Sequence, residues 1–364
     1  MSDLVRHKLL RVIPVLGVVL GFGASALAAE SLVIQRKYDP KRVNYLESKA
    51  DITQKIKMPN MPNGGEMEIK IKQVFNIREN VEEGKLGKKA VKLTFDRAMQ
   101  SMDSPMMGTM EYDTDDPDNE EWAPQLGQIF QPMIGETLMV EVTRDGKVVK
   151  FSGMDAIAKK ISEKAVGNMF WQQMKGRYTD QRARREYGED PLRMYPNKEV
   201  KVGESWEVVS EDEDPQLGLV IRKTRYTLEK IGTEDGRKVA VISSQTDISK
   251  GEGGEGDAAK AKVSGKATGK SLYDVDLGIV VRNETESDMK IKMAAQGNMM
   301  DINVLSSGVS RLMTEAERQK QKEGMAAKIA ERKKAEEAEE EEDEDEDTDE
   351  IDDDDDEDDS DDSE

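Results

Sequence analysis

The chain of 364 residues has no cysteine, and its one histidine, His7, lies in a leader-like start. Beyond that start there is neither thiolate nor imidazole. Cysteine nucleophiles, Ser-His-Asp triads, histidine general bases and the usual His/Cys zinc sites are therefore excluded. Aromatic residues are also few, with six Phe, eight Tyr and three Trp. Platforms for sugar stacking are scarce, and the core has to lean on Val, Ile, Leu and an unusual 21 Met. Hydrolysis by a carboxylate pair needs no histidine, but the abundance of acids carries no geometry. The sequence reads as that of a non-enzymatic protein without a cofactor.

Long apolar runs are missing too. The longest, Val12 to Gly23, is twelve residues, short of the ~20 that span a bilayer, and Pro14, Gly17, Gly21 and Gly23 weaken it as a helix. Arg6, Lys8 and Arg11 precede it, and Ala26-Leu27-Ala28 follows, just before Ala29. Charge, apolar stretch and A-x-A in that order are the pattern of a cleaved secretory signal. Residues 1–28 are expected to be removed, leaving a periplasmic or extracellular protein that is not integral to the membrane. No cysteine follows the cleavage site, so bacterial lipidation there is excluded, and the exported chain must hold together without disulfides.

The net charge of −22 is unevenly placed. Residues 1–28 carry three basic groups and one acidic, and residues 336–364 carry 24 acidic and no basic, leaving 51 of each sign in between. The body is neutral and the excess is in the tail. Residues 337–364 cannot bury enough surface to fold and are expected to be a disordered, self-repelling, solubilising segment. Their alternative roles are weak Ca²⁺ binding, since oxygen ligands suit hard cations, or docking on a basic partner. The acidic stretch Asp115-Asp116-Pro117-Asp118-Asn119-Glu120 lacks EF-hand spacing and reads as an exposed loop.

Period-2 alternation dominates the body. Met67, Ile69, Ile71, Phe75 and Ile77 fall on one face, with Glu68, Lys70, Lys72 and Asn76 on the other, as in a half-buried antiparallel strand. An earlier strand contains Ile52, Ile56 and Met58, and Val91, Leu93 and Phe95 alternate again. Arg144-Asp145-Gly146 and Glu234-Asp235-Gly236 mark hairpins. The first joins Leu138, Val140 and Val142 to Val149 and Phe151; the second joins 219–231 to 238–248. Met154, Ile157, Ala158, Ile161, Ala165 and Met169 share one face of a helix over 154–174. Shorter helices are expected at 122–134 and 179–187. Thr314 with Glu317 forms a capping box opening a helix over 313–336, with little beyond Met325 and Ile329 to bury, so it is expected to be solvated. Blocks of strand, helix and strand predict an α+β domain over 29–312.

Two clusters carry candidate chemistry. Met99, Met102, Met106, Met107 and Met110 are thioethers of the kind that bind Cu(I), but Met is also a common gap-filler, and core packing is the favoured reading. Lys175, Arg177, Arg182, Arg184 and Arg185, with Tyr178 and Tyr187, form a basic patch. Export and a neutral body argue against nucleic acid, so it reads as the solvated face of a helix. Its sharper alternatives are a dock for the acidic tail or attraction to anionic envelope polymers.

Val200-Lys201-Val202-Gly203-Glu204-Ser205-Trp206, the Asp235-Gly236-Arg237 hairpin and Gly269-x-x-x-Tyr273-Asp274-x-Asp276-x-Gly278 together resemble an uncharacterised family of exported bacterial proteins, over roughly residues 31–312. The family carries no activity, so the resemblance implies structural roles only: Gly203 and Gly236 in turns, Trp206 as a core anchor, Gly278 turning the chain between strands. The final strands are also similar to those of lipoprotein-carrier folds, which implies a curved, open, half-barrel-like antiparallel sheet with helix 154–174 as lid or backing. The expected function is to bind an apolar ligand or a protein partner in that sheet. The alternative is a cell-envelope interaction protein whose polyacidic tail binds cations or basic partners. The mature N-terminus is expected at Ala29; N-terminal sequencing that finds Met1 retained in a membrane fraction overturns both cleavage and export.

Overall fold

The alternating segments form fourteen strands. After the short strand β1 (Ser31–Ile34) comes a meander of β2 (Val43–Lys57), β3 (Glu66–Glu83) and β4 (Lys89–Ser104), extended by β5 (Gly108–Asp113), β6 (Thr137–Val142) and β7 (Val148–Ser152). A helical stretch then leads to β8 (Lys198–Lys201). A second meander follows, of β9 (Ser205–Asp214), β10 (Gly218–Glu234), β11 (Arg237–Lys250), β12 (Lys262–Asp274), β13 (Ile279–Ala295) and β14 (Asn298–Met313). This computed structural model describes residues 30–57, 65–116, 123–214, 217–252, 260–295 and 298–346. The leader, Met58 with most of the turn cluster after it, the end of the acidic 115–120 stretch and the tail beyond 346 lie outside the described residues.

β1 pairs with β8 in a small separate sheet. The other twelve strands make one open antiparallel sheet in the order β7-β6-β4-β3-β2-β14-β13-β12-β11-β10-β9, with β5 alongside β4. The two meanders are fused by β2 against β14, in register from Tyr45–Met313 to Lys57–Asp301. Cross-strand partners share a face, so one row runs Met102, Ile71, Ile52, Ser306, Ser287 and Ala267. The neighbouring row on the opposite face runs Ser101, Lys72, Asp51, Ser307, Glu286 and Thr268. The first face is the inner one, because both main cores lie on it.

One core packs Val91, Leu93, Phe95, Leu138 and Val140 of the sheet against Leu126 and Ile129 of α1 (Pro124–Phe130) and Ile157 and Ile161 of α2 (Met154–Lys164). Trp171 of α3 (Met169–Met174) and Ala183 of α4 (Asp180–Ala183) complete it. A π-helical turn, Arg184–Glu189, continues from α4 into α5 (Asp190–Arg193). The second core sets Ile34 and Val200 of the small sheet over Trp206, Leu228, Ile242 and Tyr273.

Three local expectations are corrected. The single helix over 154–174 is two, because Gly167 takes a left-handed φ of +79° and Asn168 caps a new start, its side chain accepting from Trp171 N at 3.1 Å. Met169, placed on the buried face by periodicity, is 73% exposed, and Trp171 is buried instead. In the β6–β7 hairpin a bulge at Glu141/Val142 turns Val148 inward and leaves Val149 exposed.

The C-terminal helix, α6 (Glu315–Glu346), is also not as expected. It opens on the capping box, with Thr314 N donating to Glu317 at 2.7 Å and Glu317 N to Thr314 Oγ1 at 3.1 Å. It then continues to Glu346, into the stretch expected to be disordered, and its first turns are docked on the outer face. Arg318 is only 4% exposed, pairs with Asp115 at 3.1 Å and donates to Asp96 O. Gln321 bridges Asn76 and Glu47 at 2.9 and 2.7 Å, and Arg332 forks onto Asp116 at 2.7 and 2.9 Å. Asp115 and Asp116 are thus enclosed, not an exposed loop. The helix buries charge in place of apolar surface, which hydrophobic patterning does not register.

Burial works to raise the Glu47 carboxyl, but hydrogen bonds from Arg311, Lys49 and Gln321 outweigh it and hold the group below its ordinary value. A depressed carboxylate pKa contributes stability that is present above the unfolded value, about 4.3, and is lost as pH falls further. Docking of α6 is therefore expected to loosen below about pH 4. Arg318→Ala leaves Asp115 without a main partner and should cost about 3 kcal/mol, with limited proteolysis cutting within 314–332. Unchanged protection of that stretch would mean that the ionic contacts do not hold the helix.

Candidate functional site

The helical segment 180–193 reaches both edges of the sheet. Arg184 donates to Val148 O of β7 at 2.8 Å, and a Cβ on Gly188 would touch Val140, Val148 and Phe151 at 3.5–3.6 Å. From the same segment Arg193 donates to Val209 O of β9 at 3.2 Å, Arg182 pairs with Asp214 at 3.6 Å, and Arg185 pairs with Asp212. Arg184 and Arg193 stand about 14 Å apart along a helix axis. Ten strand spacings of about 4.8 Å would put the edges of a flat sheet roughly 48 Å apart. The sheet is therefore curled around its inner face. Arg182, Arg184 and Arg185 of the expected solvated patch are, with Arg193, the links that fasten it, while Lys175 and Arg177 are exposed as expected; Tyr178 and Tyr187 are packed against Trp171 and Phe95. Burial pushes the Tyr178 phenol up to about 12, so it stays protonated.

A polar knot joins the halves beneath the helices. Arg36 chelates Glu79 at 2.5 and 2.7 Å, and Asn44 donates to Glu79 at 2.6 Å. Tyr273 donates to Gln35 O at 2.8 Å. Burial would lower the Arg36 pKa, but Glu79 beside it raises it above the ordinary value. The Arg36 guanidinium stays charged, and the contact is structural.

Toward the opposite end of the strands the inner face changes character. First comes a belt of small and hydroxyl residues, with Ser48–Ser310 at 3.0 Å and Ser287–Ser306 at 2.7 Å. Beyond it lies an apolar band: Met67, Ile69 and Ile71 on β3, Ile52 and Ile56 on β2, Ile302 and Val304 on β14, Met289 and Ile291 on β13. No inward residue is ionisable at 67–73, 50–56, 300–308, 285–293 or 263–269. The outward residues between them include Glu68, Lys70, Lys72, Lys55, Asp301, Asp288, Lys290 and Lys266. The third apolar cluster at this end, Val220, Ile248 and Val263 with Leu217 and Met289, contains strand and loop residues alone. Most of the band, including Ile52, Ile56, Ile71, Ile302 and Val304, is half-buried and not sealed. A shallow depression of about 330 Å³ on the other side is lined by Thr268, Lys270, Glu284 and Glu286 around Gly269 and Gly308.

The sequence-predicted motif residues do not converge on a site. Gly203 (φ +85°) turns β8 into β9, and Asp235-Gly236 (φ +51° and +75°) is a two-residue hairpin turn with both φ positive. At Gly278 (φ +65°) a Cβ would strike the Lys37 side chain at 2.2 Å. Trp206 is 9% exposed and stacks on Tyr226 at 5.5 Å. The Met99–Met110 cluster is scattered: Met102 faces Met110 across β4 and β5, Met99 points to the opposite face, and Met106 and Met107 are exposed in the hairpin tip. Among the described residues no group of three or more acidic or histidine side chains is placed to hold a metal ion, and no helix is long and apolar enough to cross a membrane. The apolar inner band is half visible in the alternation at 67–77; the same alternation at 289–304 completes it.

The profile of a family of unknown function, DUF6263, matches residues 87–280. That is more than half of the chain, and the chain belongs to this family. Gly203, Trp206, Gly236 and Gly278 all lie within the matched stretch. No curated protein matches. Among solved structures, one of lipovitellin, described by its lipid–protein interactions, is 9% identical with a TM-score of 0.42, covering 76% of this chain and 26% of its own. The chain thus spans about a quarter of that protein. An outer membrane channel from Pseudomonas putida F1 is 4% identical with a TM-score of 0.22, covering 74% of this chain and 95% of its own. Pseudomonas aeruginosa OccK2 in complex with glucuronate is 6% identical with a TM-score of 0.20, covering 76% and 100%.

Trp206→Ala is expected to cost about 3–5 kcal/mol, the usual penalty for truncating a large core aromatic. Urea denaturation checks it: a loss below about 1 kcal/mol would mean that the Trp206–Tyr226 stack does not anchor the second core.

Proposed function

We propose that this is an exported, non-enzymatic binding protein that holds an apolar ligand on the inner face of its curled sheet. One observation carries the reading: an open band of Ile, Val and Met, with Gly and Ala on β12 and the one amide Gln54, free of ionisable groups over five adjacent strands and backed by an outer face rich in Lys and Glu. Four strand spacings and four residues of rise make the band about 19 Å by 13 Å, on the order of 250 Å² in projection. That area is within what an ordinary monomer exposes in its largest apolar patch; what sets this one apart is that a curled sheet encloses it and no ionisable side chain enters it. Among the described residues the helices cover only the other end of the inner face. Export rests on the leader, and the non-enzymatic reading on a chain that has no His or Cys beyond residue 28.

Native mass spectrometry of the protein purified from its own envelope tests this. The expected result is a bound apolar species that organic solvent removes, leaving the bare chain mass. A protein that carries nothing, and that binds no hydrophobic dye after solvent stripping, overturns the proposal.

A further inference from the structure

We infer that the occupant of the inner band is hydrocarbon, the acyl chains of a lipid, and not a stretch of polypeptide. This rests on the ligand-binding reading above and narrows it by chemistry. A polypeptide brings an N–H and a C=O at nearly every residue, and each is costly to bury unpaired. Within the band the inner face offers them the single amide of Gln54, between Ile69 and Val304. Its own backbone groups are used in strand ladders, and its hydroxyls are turned on one another at Ser48–Ser310, Ser287–Ser306 and Thr224–Thr246, all within 2.7–3.0 Å. A peptide could instead add to a sheet edge; β7 and β9 are held against the helical bridge by Arg184 and Arg193, and the edge left beside the band is the six-residue β5. An acyl chain needs no partner of this kind.

Charge points the same way. No inward side chain of the band could pair with an ionic group, and burying one alone is prohibitive. A lipid can leave its head group at the strand ends, where the exposed pairs Lys57–Glu66 and Lys292–Asp301 lie at 3.2 and 3.3 Å, and send only its chains inward. The band runs about 13 Å along the strands, close to the ~15 Å of a single leaflet in a ~30 Å hydrocarbon core. Its methionines, Met67, Met289, Met293 and Met300, have flexible polarisable side chains that fill irregular gaps, which suits chains of no fixed shape.

The test offers the full exported chain two probes: phosphatidylcholine vesicles carrying a pyrene-labelled acyl lipid, and a fluorescein-labelled ten-residue peptide of alternating Leu and Ser. The expected result is transfer of the pyrene lipid to the protein, with the peptide bound at least tenfold more weakly. Ile302→Asp, on the inner face of β14, should cut lipid uptake at least tenfold, while the outward Leu305→Asp leaves it unchanged. Met300→Gln, near the strand end, replaces Ile302→Asp if circular dichroism finds the latter unfolded, with at least a threefold loss expected. Peptide binding that equals or exceeds lipid uptake defeats the acyl-chain inference while the apolar-ligand reading stands. Uptake of neither probe removes both. Uptake indifferent to the inner substitutions places the lipid elsewhere and also overturns the inference.

Discussion

Arg184 and Arg193 sit on one helical segment and hold the carbonyls of Val148 and Val209, which belong to opposite edges of the sheet. Almost everything else depends on that bridge. A flat sheet of this width would expose two long edges, each a template for pairing with another chain. Drawing the edges toward a single helix curls the sheet and gives it an inside. Asp212 and Asp214 on β9 reinforce the link through Arg182 and Arg185, so the charges that look like a surface patch in the sequence serve as a clasp. The small residues at mid-sheet suit the bend: at Gly265 an added Cβ would lie 2.6 Å from Asp288 O, and at Gly269 2.6 Å from Ser244 Oγ.

The two faces of the curled sheet recruit their helices by different physics. Inside, α1 to α4 are held by aliphatic and aromatic packing over one end, an interaction that scales with buried area and is not directional. Outside, α6 is held by guanidinium–carboxylate contacts and a glutamine bridge. Buried ion pairs of this kind contribute little net stability, because desolvation offsets most of the attraction, but losing one partner is costly. The arrangement fixes where the helix lies more than how tightly it is held. It also ties the docking of the outer helix to the charge on Glu47.

Much of the fold was legible in the sequence, because a half-buried sheet writes its faces as alternation. Met67 to Ile77 gave the inner face of β3, Asp235-Gly236 gave a hairpin with the required positive φ, and Thr314 with Glu317 gave the start of α6. What stayed hidden falls into two kinds. Periodicity cannot see a bulge, so Val149 was taken for the inward residue where Val148 is, and it runs through a cap, so Asn168 was read as helix. It is also blind to polar partners distant in the chain: Arg318 and Asp115 are 203 residues apart, and nothing local in either marks the other. Arg182, Arg184 and Arg185 are hidden for the same reason, their partners lying on β9 and β7.

The contrast between the faces also decides what kind of container this sheet is. A transmembrane barrel turns its apolar residues outward to lipid and keeps a polar interior. Here the order is reversed, with Lys55, Glu68, Lys70, Asp288 and Lys290 outward and Ile52, Ile71, Met289 and Ile302 inward. Charges on the outer face would be expensive against hydrocarbon at mid-bilayer, by about 2–4 kcal/mol for each Lys or Arg. The composition of each face assigns water to the outside and apolar matter to the inside. Among the described residues the helices cover the inner face at one end only, and the proposed apolar ligand would cover the apolar surface they leave at the other.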